Sequence, residues 1–362
     1  MKATKQLHDL GQSLWLDNIT RNLLSSGTLA RYINELSITG LTSNPSIFDN
    51  AIQHGDFYDD AIRQRTQDGK STESLFFELA VEDLQRAADL FRPVHLESGG
   101  VDGWVSLEVS PLLADDTVAT ISASLELHSR AQRPNLFIKI PGTPAGIPAI
   151  EEAIFAGVPV NVTLLFSHDH FLSAANAYMR GIERRIAAGQ DPKIASVASV
   201  FISRWDVAVK DKLRGELRNN SLGIAIAIQI YQAYRELLAS ARWQKLASAG
   251  ALPQRLLWAS TGTKDPAAPD TLYIDALAAP DTINTIPEKT LLALASHDKT
   301  AMALTLDKAY AEKVFANLIR DGINVDELAS LLQREGTESF AKSWQSLMAC
   351  IAKKSEKLSQ NK

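Results

Sequence analysis

Short strand-like runs alternate with longer amphipathic runs along most of this sequence. Such alternation is typical of βα units, in which helices cover parallel strands. We identify eight strand-like runs, the number that closes a parallel barrel. The predicted strands are SLWLDNI from Ser13, SITGLTSN from Ser37, GWVSLEV from Gly103, NLFIKI from Asn135, VPVNVT from Val158, IASVASVFIS from Ile194, RLLWAST from Arg255 and TLYIDAL from Thr271. We therefore predict an α/β fold, a (β/α)8 TIM barrel with additional helices.

Two regions have more helical sequence than a simple barrel needs. The segment from Asn50 to Pro93 is longer than one crossover requires, so we expect more than one helix there. After Pro287 the sequence is predicted to be wholly helical. Since no low-complexity linker precedes this region, we expect residues 1–362 to form one domain. Residues 288–362 would then be a helical C-terminal extension packed against the barrel.

Composition argues against several classes of partner. The net charge of -5 is opposite in sign to the basic face that nucleic-acid binding requires. One cysteine, Cys350, cannot form an intramolecular disulfide and fits a reducing compartment. The sequence has no long uncharged apolar run, and its first residues have no apolar core of signal-peptide type. We therefore expect a cytoplasmic protein with no nucleic-acid or membrane partner. The composition does not indicate an oligomeric state, and we expect a monomer or a homodimer.

Polar residues share one parity within the predicted strands, whereas the other parity is aliphatic. The aliphatic face suits contact with surrounding helices, so the polar face is predicted to point into the barrel. Active sites of such barrels form at the C-terminal ends of the strands. Seven polar residues fall late in their strands: Asp17, Asn44, Glu108, Lys139, Asn161, Thr163 and Ser199. Phe201 shares the parity of Ser199.

Lys139 is the most informative of these residues because it interrupts a strand that otherwise appears buried. Burial disfavours the ammonium form of a lysine and supplies the neutral amine that attacks a carbonyl to form a Schiff base. The alternative is a structural ion pair with Asp17 or Glu108. These two carboxylates could instead provide the acid and base that Schiff-base chemistry requires, or could cap helices.

Other polar residues admit two interpretations each. Asn44, before Pro45, could bind substrate or serve only in a turn. Asn161 and Thr163 would need partners inside the barrel, which a hydroxylated substrate could supply. Phosphate sites in this architecture often lie near the last two strands, where three residues could contribute or could be ordinary loop residues: Arg204, Ser260 and Lys264.

Three features are predicted not to mark a site. In FSHDHF, His168 and His170 have no accompanying His or Cys cluster, so a polar helix start is the preferred interpretation over a metal site. GTPAG has too few features of a phosphate-binding loop to indicate a nucleotide site. Cys350 is predicted to pack in the helical extension.

Seven motifs together resemble the transaldolase family in their order and approximate spacing. They are LWLDNI, ITGLTSNPSIF, VSLEV, LFIKIPGTPAGIPAI, GVPVNVTLLFS, SVFISRWD and ASTGTKDP. In three features the chain is similar to the longer bacterial subgroup of this family. They are Ser110 and Pro111 after VSLEV, Lys264 where many members have arginine, and the long segment from Asn50. The resemblance implies a barrel enzyme of the pentose phosphate pathway that transfers a dihydroxyacetone unit between sugar phosphates without a cofactor or metal.

The resemblance also implies a role for each site residue. Lys139 would form the Schiff base, Asp17 and Glu108 would be acid/base groups, and Thr163 would help Glu108 hold a water. The implied substrate-binding residues are Asn44, Asn161, Ser199 and Phe201, and the implied phosphate-binding residues are Arg204, Ser260 and Lys264. Two rival functions remain at this stage: an aldolase that releases free dihydroxyacetone, and a non-catalytic sugar-phosphate-binding barrel.

Overall fold

A computed structural model describes residues 2–66, 69–210, 220–297 and 308–360. Eight parallel strands pair in chain order, and the last strand pairs with the first to close a barrel. The strands are β1 (Gln12–Asp17), β2 (Ile38–Thr42), β3 (Trp104–Glu108), β4 (Leu136–Pro141), β5 (Val160–Leu165), β6 (Ser196–Phe201), β7 (Gln254–Ala259) and β8 (Thr282–Ile286). The predicted (β/α)8 architecture is confirmed, and the first seven strands overlap their predicted runs.

The prediction for the eighth strand was wrong. The run from Thr271 contains a short helix, Leu272–Ala276, in which the Asp275 amide donates to the Thr271 carbonyl four residues earlier. Its buried residues include Tyr273 and Leu277, which have helical rather than alternating spacing. The eighth strand is instead the following TINTI run, whose β-branched residues favour extended structure.

Helices surround the barrel and extend beyond it. They are α1 (Ala3–Leu10), α2 (Arg21–Ser25), α3 (Thr28–Leu36), α4 (Pro45–His54), α5 (Asp59–Thr66), α6 (Thr72–Glu97), α7 (Thr117–Ala131), α8 (Gly146–Phe155), α9 (His168–Ala187), α10 (Ser203–Val209), α11 (Leu222–Ala239), α12 (Ala241–Ser248), α13 (Leu272–Ala276), α14 (Glu288–Ala295), α15 (Lys308–Arg320) and α16 (Val325–Gln360), with a 3-10 turn at Pro111–Leu113. The several helices predicted after Asn50 are confirmed. None of these described helices is both long and apolar enough to cross a membrane.

The register of neighbouring strands brings the inward-facing polar residues together. Glu108 of β3 pairs with Lys139 of β4, and Lys139 pairs with Asn161 of β5. All three residues are buried, whereas the alternate residues Ile138 and Ile140 belong to the apolar core. Because neighbouring residues in parallel register project from the same face of a sheet, the three polar side chains lie at one level of the barrel interior.

The opposite end of the barrel is closed by an ion pair and an indole ring. Arg255 and Asp102 approach to 3.4 Å, and the Trp15 indole nitrogen donates to Asp102 at 3.2 Å. Gly40 of β2 makes room for this ring, because a Cβ atom there would lie 2.5 Å from the Trp15 nitrogen. A larger residue at position 40 would therefore displace Trp15.

The long helix α16 packs across α4, α5 and α6. Trp344 is buried against Phe76 and Phe77, with ring centroids 5.1 and 5.5 Å away. Further along α16, the Lys354 ammonium lies 2.6 Å from an Asp59 carboxylate oxygen. These apolar and charged contacts hold α16 beside the C-terminal ends of the strands.

Candidate active site

A cavity of about 520 Å³ opens at the C-terminal end of the barrel. Its volume is within the usual range for small-molecule sites. Nine of the eleven site residues predicted from the sequence line it: Asp17, Asn44, Lys139, Thr163, Ser199, Phe201, Arg204, Ser260 and Lys264. The other two, Glu108 and Asn161, lie beside lining residues and are hydrogen-bonded to them. The fold therefore brings all eleven to one place.

Lys139 is buried where β4 reaches the cavity. Its Nζ donates to Glu108 Oε2 at 3.2 Å and to the Ser43 carbonyl oxygen at 3.3 Å. Only 8% of its side chain is exposed. The ion pair considered from the sequence is therefore present, with Glu108 as the partner. It does not enclose the amine, because Lys139 also lines the cavity and an ammonium group has three hydrogens to donate.

Burial raises the pKa values of both nearby carboxyl groups. For Asp17, burial outweighs the opposing effects of the Lys139 charge and of the Thr42 hydroxyl, which donates to Asp17 Oδ1 at 2.8 Å. For Glu108, burial again outweighs the attraction of Lys139 and raises the pKa. Carboxyl groups with raised pKa values can exchange protons nearer neutral pH, which suits general acid–base catalysis.

Neither carboxylate caps the helix that follows its strand. Thr20 caps α2, where its hydroxyl accepts from the Leu23 amide, and Asp116 caps α7, where its carboxylate accepts from the Ala119 amide. The helix-capping alternative raised for Asp17 and Glu108 was therefore wrong. Asn44 does cap α4, since its Oδ1 accepts from the Ile47 amide at 3.2 Å, and it lines the cavity as well.

A row of buried polar groups continues from Lys139 along β5 and β6. Ser199 Oγ donates to Asn161 Oδ1 at 2.6 Å, and Asn161 Nδ2 donates to Ser106 Oγ at 3.1 Å. This row fixes the orientation of the Asn161 amide. Thr163 Oγ1, in contrast, is buried and has no hydrogen-bond partner among the described residues. Because Thr163 lines the cavity, its hydroxyl is placed to bind a water or a substrate hydroxyl.

Two cations lie on the rim of the cavity beyond Phe201. Arg204, at the start of α10, is half-buried with its guanidinium carbon 5.4 Å from the Phe201 ring centroid. Burial lowers the Arg204 pKa, and Glu335 partly offsets this effect. Lys264 is exposed on the β7 loop. Within the described ranges neither cation has a carboxylate at salt-bridge distance, so both remain available to an anionic group.

Ser260, between these cations, has a backbone φ of +54°. This left-handed conformation is unfavourable for a serine and is often found at functional sites. It is held by the Ser203 amide, which donates to the Ser260 carbonyl oxygen at 3.0 Å, and by the two serine hydroxyls, also 3.0 Å apart. The β7 loop is thereby tied to α10, the helix that contains Arg204.

Sequence reasoning missed two threonines of the site. Thr42 donates to Asp17, and its hydroxyl oxygen lies 2.6 Å from that of Thr285 on β8. Both line the cavity. Thr42 shares the inward parity of Gly40 in β2, a signal that was available in the sequence. Thr285 could not be found while the eighth strand was assigned to the wrong run.

Phe340 of α16 also lines the cavity, with its ring centroid 5.5 Å from Lys139 Nζ. The site residues predicted from the sequence included none from this C-terminal extension. Trp344 is buried, whereas Phe340 packs against the core with a half-buried ring at the cavity wall. Helical periodicity alone could not indicate which face of α16 meets the barrel.

The other conspicuous motifs have structural roles. Ser167 caps α9 by accepting from the His170 amide, so FSHDHF is a polar helix start. No group of three or more His, Cys, Asp or Glu side chains suited to a metal ion occurs in the described parts of the chain. Cys350 is half-buried in α16 and packs against the apolar core.

Comparison with known families decides what this barrel is. The family model for transaldolase/fructose-6-phosphate aldolase matches residues 14–351. The chain belongs to this transaldolase family. Transaldolase from Saccharopolyspora erythraea is 43% identical over 352 residues, 95% of each chain. Transaldolase from Trichodesmium erythraeum is 40% identical over 98% of this chain and 97% of its own. Transaldolase from Thiobacillus denitrificans is 43% identical over 97% of this chain and all of its own.

Membership in the transaldolase family confirms the resemblance drawn from the seven motifs. These relatives match nearly the whole chain and are named transaldolases. Their names favour transaldolase activity over the aldolase activity that the family also contains. The chain is accordingly a transferase of the pentose phosphate pathway that acts on sugar phosphates. The motifs in β1 to β7 that indicated the family also supply most of the cavity walls.

Proposed function

We propose that this transaldolase transfers a dihydroxyacetone unit from fructose 6-phosphate or sedoheptulose 7-phosphate to glyceraldehyde 3-phosphate or erythrose 4-phosphate. The observation that carries this proposal is the buried Lys139 amine, hydrogen-bonded to Glu108 and bordering a cavity that Asp17 also lines. The rim cations Arg204 and Lys264, which have no carboxylate at salt-bridge distance in the described part of the chain, supply the matching charge for a substrate phosphate. A purely structural ion pair would not need this access.

The reaction begins when Lys139, as a neutral amine, attacks the C2 carbonyl of the ketose. Loss of water from the carbinolamine gives an iminium ion. Asp17 then accepts the proton of the C4 hydroxyl while the C3–C4 bond breaks, and the electron pair of that bond moves to the iminium nitrogen. An aldose phosphate leaves, and an enamine of dihydroxyacetone stays attached to Lys139.

The second half reverses these steps with another aldose. C3 of the enamine attacks the acceptor aldehyde, and Asp17 returns its proton to the new C4 hydroxyl. Water held by Glu108 and Thr163 then hydrolyses the iminium ion, releasing the ketose product and the amine. The raised pKa of Glu108 suits a group that must give up and recover a proton in each cycle.

The remaining residues are proposed to orient the sugar phosphates. Asn44 and Asn161 would bind donor hydroxyls, with Ser199 and Phe201 shaping the wall between them and the phosphate. At the rim the phosphate would be bound by Arg204, Ser260 and Lys264, where charge-assisted hydrogen bonds are strong. This mechanism uses no metal or organic cofactor, because the iminium nitrogen is the electron sink.

We further propose that residues 1–362 act as one domain, since α16 provides a wall of the cavity. The acidic composition and single cysteine support a cytoplasmic protein with no nucleic-acid partner. We propose a monomer or a homodimer.

The test is mass spectrometry of the intact protein and its peptides after incubation with fructose 6-phosphate and borohydride, without an acceptor. We expect a reduced three-carbon adduct on Lys139, with the peptide that contains Lys264 unmodified as an internal control. Adding erythrose 4-phosphate before the borohydride should remove the adduct and form sedoheptulose 7-phosphate. Folded protein without any adduct would refute the Schiff-base mechanism.

A further inference from the structure

One face of α16 forms a wall of the candidate active site. Gln333, Gly336, Phe340 and Ser343 follow one another at intervals of three, four and three residues, which places them on the same side of a helix. Phe340 and Ser343 line the cavity. Gln333 and Gly336 contact the ends of the strands that contain the site residues. The position of Phe340 is therefore determined by how the first part of this face is seated.

Gln333 anchors the helix to two strands at once. Its buried Nε2 donates to the Gly142 carbonyl, just after β4, and to the Leu164 carbonyl in β5, both at 3.0 Å. Leu164 has a φ of +59°, and the pairing of β5 with β6 shifts register around it. This irregularity frees the Leu164 carbonyl from the regular ladder, and Gln333 satisfies it. Strands β4 and β5 are those that contain Lys139 and Thr163.

Gly336 sets how closely the helix approaches. A Cβ atom at this position would lie 3.0 Å from Leu164 Cδ2 and 3.6 Å from Arg204 Nη1. A larger residue would push α16 away from the barrel. With the helix seated here, Phe340 reaches over the lysine, its ring centroid 5.5 Å from Lys139 Nζ and 6.4 Å from the Phe201 ring.

We propose that Phe340 is a specificity-determining residue whose ring shields the covalent intermediate on Lys139 from water, and so favours transfer to an acceptor over release of free dihydroxyacetone. This inference rests on the proposed function, because it concerns the fate of the enamine. The family includes both outcomes, since its name joins transaldolase with fructose-6-phosphate aldolase. The structure assigns part of that choice to the C-terminal extension.

The two fates of the enamine differ in what reaches C3, since both end with hydrolysis of an iminium ion at C2. In transfer, C3 forms a carbon–carbon bond with the acceptor aldehyde. In release, C3 takes a proton and water adds to C2 of the resulting iminium ion. The carbinolamine then loses the Lys139 amine as the C–N bond breaks, and the oxygen of water becomes the ketone oxygen of dihydroxyacetone. An apolar ring centred 5.5 Å from Nζ offers no hydrogen bond to a water that could deliver this proton to C3.

The test compares Phe340→Ala with Phe340→Leu, which keeps most of the apolar volume, and with a control, Trp344→Leu. Trp344 lies one helical turn further along α16 but packs against Phe76 and Phe77, outside the cavity. The control therefore loosens the helix without removing the wall. Each protein is given fructose 6-phosphate and erythrose 4-phosphate, and free dihydroxyacetone and sedoheptulose 7-phosphate are measured together.

We expect Phe340→Ala to raise the ratio of released to transferred product by about tenfold, corresponding to loss of a modest barrier to protonation of C3 by water. Phe340→Leu should raise it less, and Trp344→Leu should leave it unchanged. An unchanged ratio in folded Phe340→Ala would overturn the inference, as would an equal rise in Trp344→Leu. If Phe340→Ala does not fold, a ratio in Phe340→Leu equal to that of the wild type overturns it.

The wild-type arm separates this inference from the proposed function. A wild-type protein that neither transfers the three-carbon unit nor gives a borohydride-trapped adduct refutes the function itself. A wild-type protein that does both, with variants that partition the intermediate in the same way, refutes only the role of Phe340.

Discussion

The barrel has a cavity at each end, and the two are almost equal in volume. The one at the C-terminal ends of the strands measures about 520 Å³ and the one at the N-terminal ends about 530 Å³. Each also has an ion pair beside it, the buried pair of Lys139 with Glu108 at the first and the partly buried pair of Arg255 with Asp102 at the second. Size and charge therefore do not distinguish a reactive end from a structural one.

The difference lies in how fully the cation of each ion pair is hydrogen-bonded. At the N-terminal end, the two terminal nitrogens of Arg255 donate to Asp102, Ser13 and the carbonyl oxygens of Val101 and Thr282. This guanidinium is nearly saturated, and it cannot lose a proton in a protein. Buried aromatic rings, including those of Trp104 and Tyr234, supply much of the remaining wall.

At the C-terminal end the polar groups are only partly satisfied. Lys139 has two acceptors for three hydrogens, and the Thr163 hydroxyl has no partner among the described residues. Groups left in this state bind whatever enters the cavity. The comparison indicates that the N-terminal pair serves stability and the C-terminal pair serves chemistry. Four substitutions test this division, in order of decreasing expected effect.

Lys139→Met should abolish turnover while preserving the fold. Loss of the covalent nucleophile is expected to lower kcat by roughly 10⁴-fold or more, as for other residues that form the covalent intermediate. The buried Glu108 left behind can become protonated, since burial already raises its pKa. Three-carbon transfer assays and circular dichroism check the two halves of this expectation. Residual transfer at a substantial fraction of the wild-type rate would contradict the mechanism.

Asp17→Asn should slow carbon–carbon cleavage with little change in substrate binding. Removing a general base is expected to lower kcat by about 10²- to 10⁴-fold, with a much smaller change in KM. Because burial raises the Asp17 pKa and the ionised form is the base, the wild-type rate should fall as pH decreases through that raised value. The variant should lack this fall in rate at low pH.

Steady-state kinetics from pH 5 to 8 measure both effects. Equal losses in kcat and in substrate binding would argue against Asp17 as the general base.

Arg255→Met should have the opposite profile, with lower stability and retained chemistry. It leaves Asp102 buried without its charged partner, and breaking such a pair costs about 3–5 kcal/mol of unfolding free energy. Urea unfolding at neutral pH measures the loss, and transfer kinetics at low temperature measure activity. A stable variant with impaired kcat would break the proposed division between the two ends.

Asp206→Asn should change how the free energy of unfolding depends on pH. Asp206 is buried in α10, where it accepts from the Leu222 and Gly223 amides and from the Tyr273 hydroxyl, and burial raises its pKa from 3.8 to about 6. Between these pH values the unfolded chain releases a proton that the folded protein retains. The wild type should therefore lose up to about 3 kcal/mol of unfolding free energy, relative to the variant, as pH rises through this interval.

The measurement for Asp206 is urea unfolding of both proteins at several pH values from about 4 to 7. The pH at which the difference levels off reports the folded-state pKa. A difference between the two proteins that does not vary with pH would show that burial does not perturb this carboxyl group.

The sequence was sufficient for the barrel and for most of its site because both depend on local alternation. Lys139 and Glu108 could be placed at one level since each lies late in a strand of known parity. Thr285 could not be placed, because the eighth strand was assigned to the run from Thr271. That run contains Tyr273 and Ile274, which favour a strand, and it is too short to distinguish helical from strand periodicity. Phe340 needed the packing of α16, which depends on contacts such as Gln333 with the β5 irregularity that no local pattern encodes.

The seating of α16 has a consequence for biosynthesis. All eight strands precede this helix in the chain, so a nascent barrel can close on the ribosome before the segment that contains Phe340 has been made. Until α16 docks, the Leu164 carbonyl and the amine of Lys139 face solvent. The order of translation thus predicts an interval in which the nascent chain contains Lys139 but not yet Phe340. During that interval release of a captured three-carbon unit would compete more strongly with transfer, so full selectivity for transfer is reached only after α16 has docked.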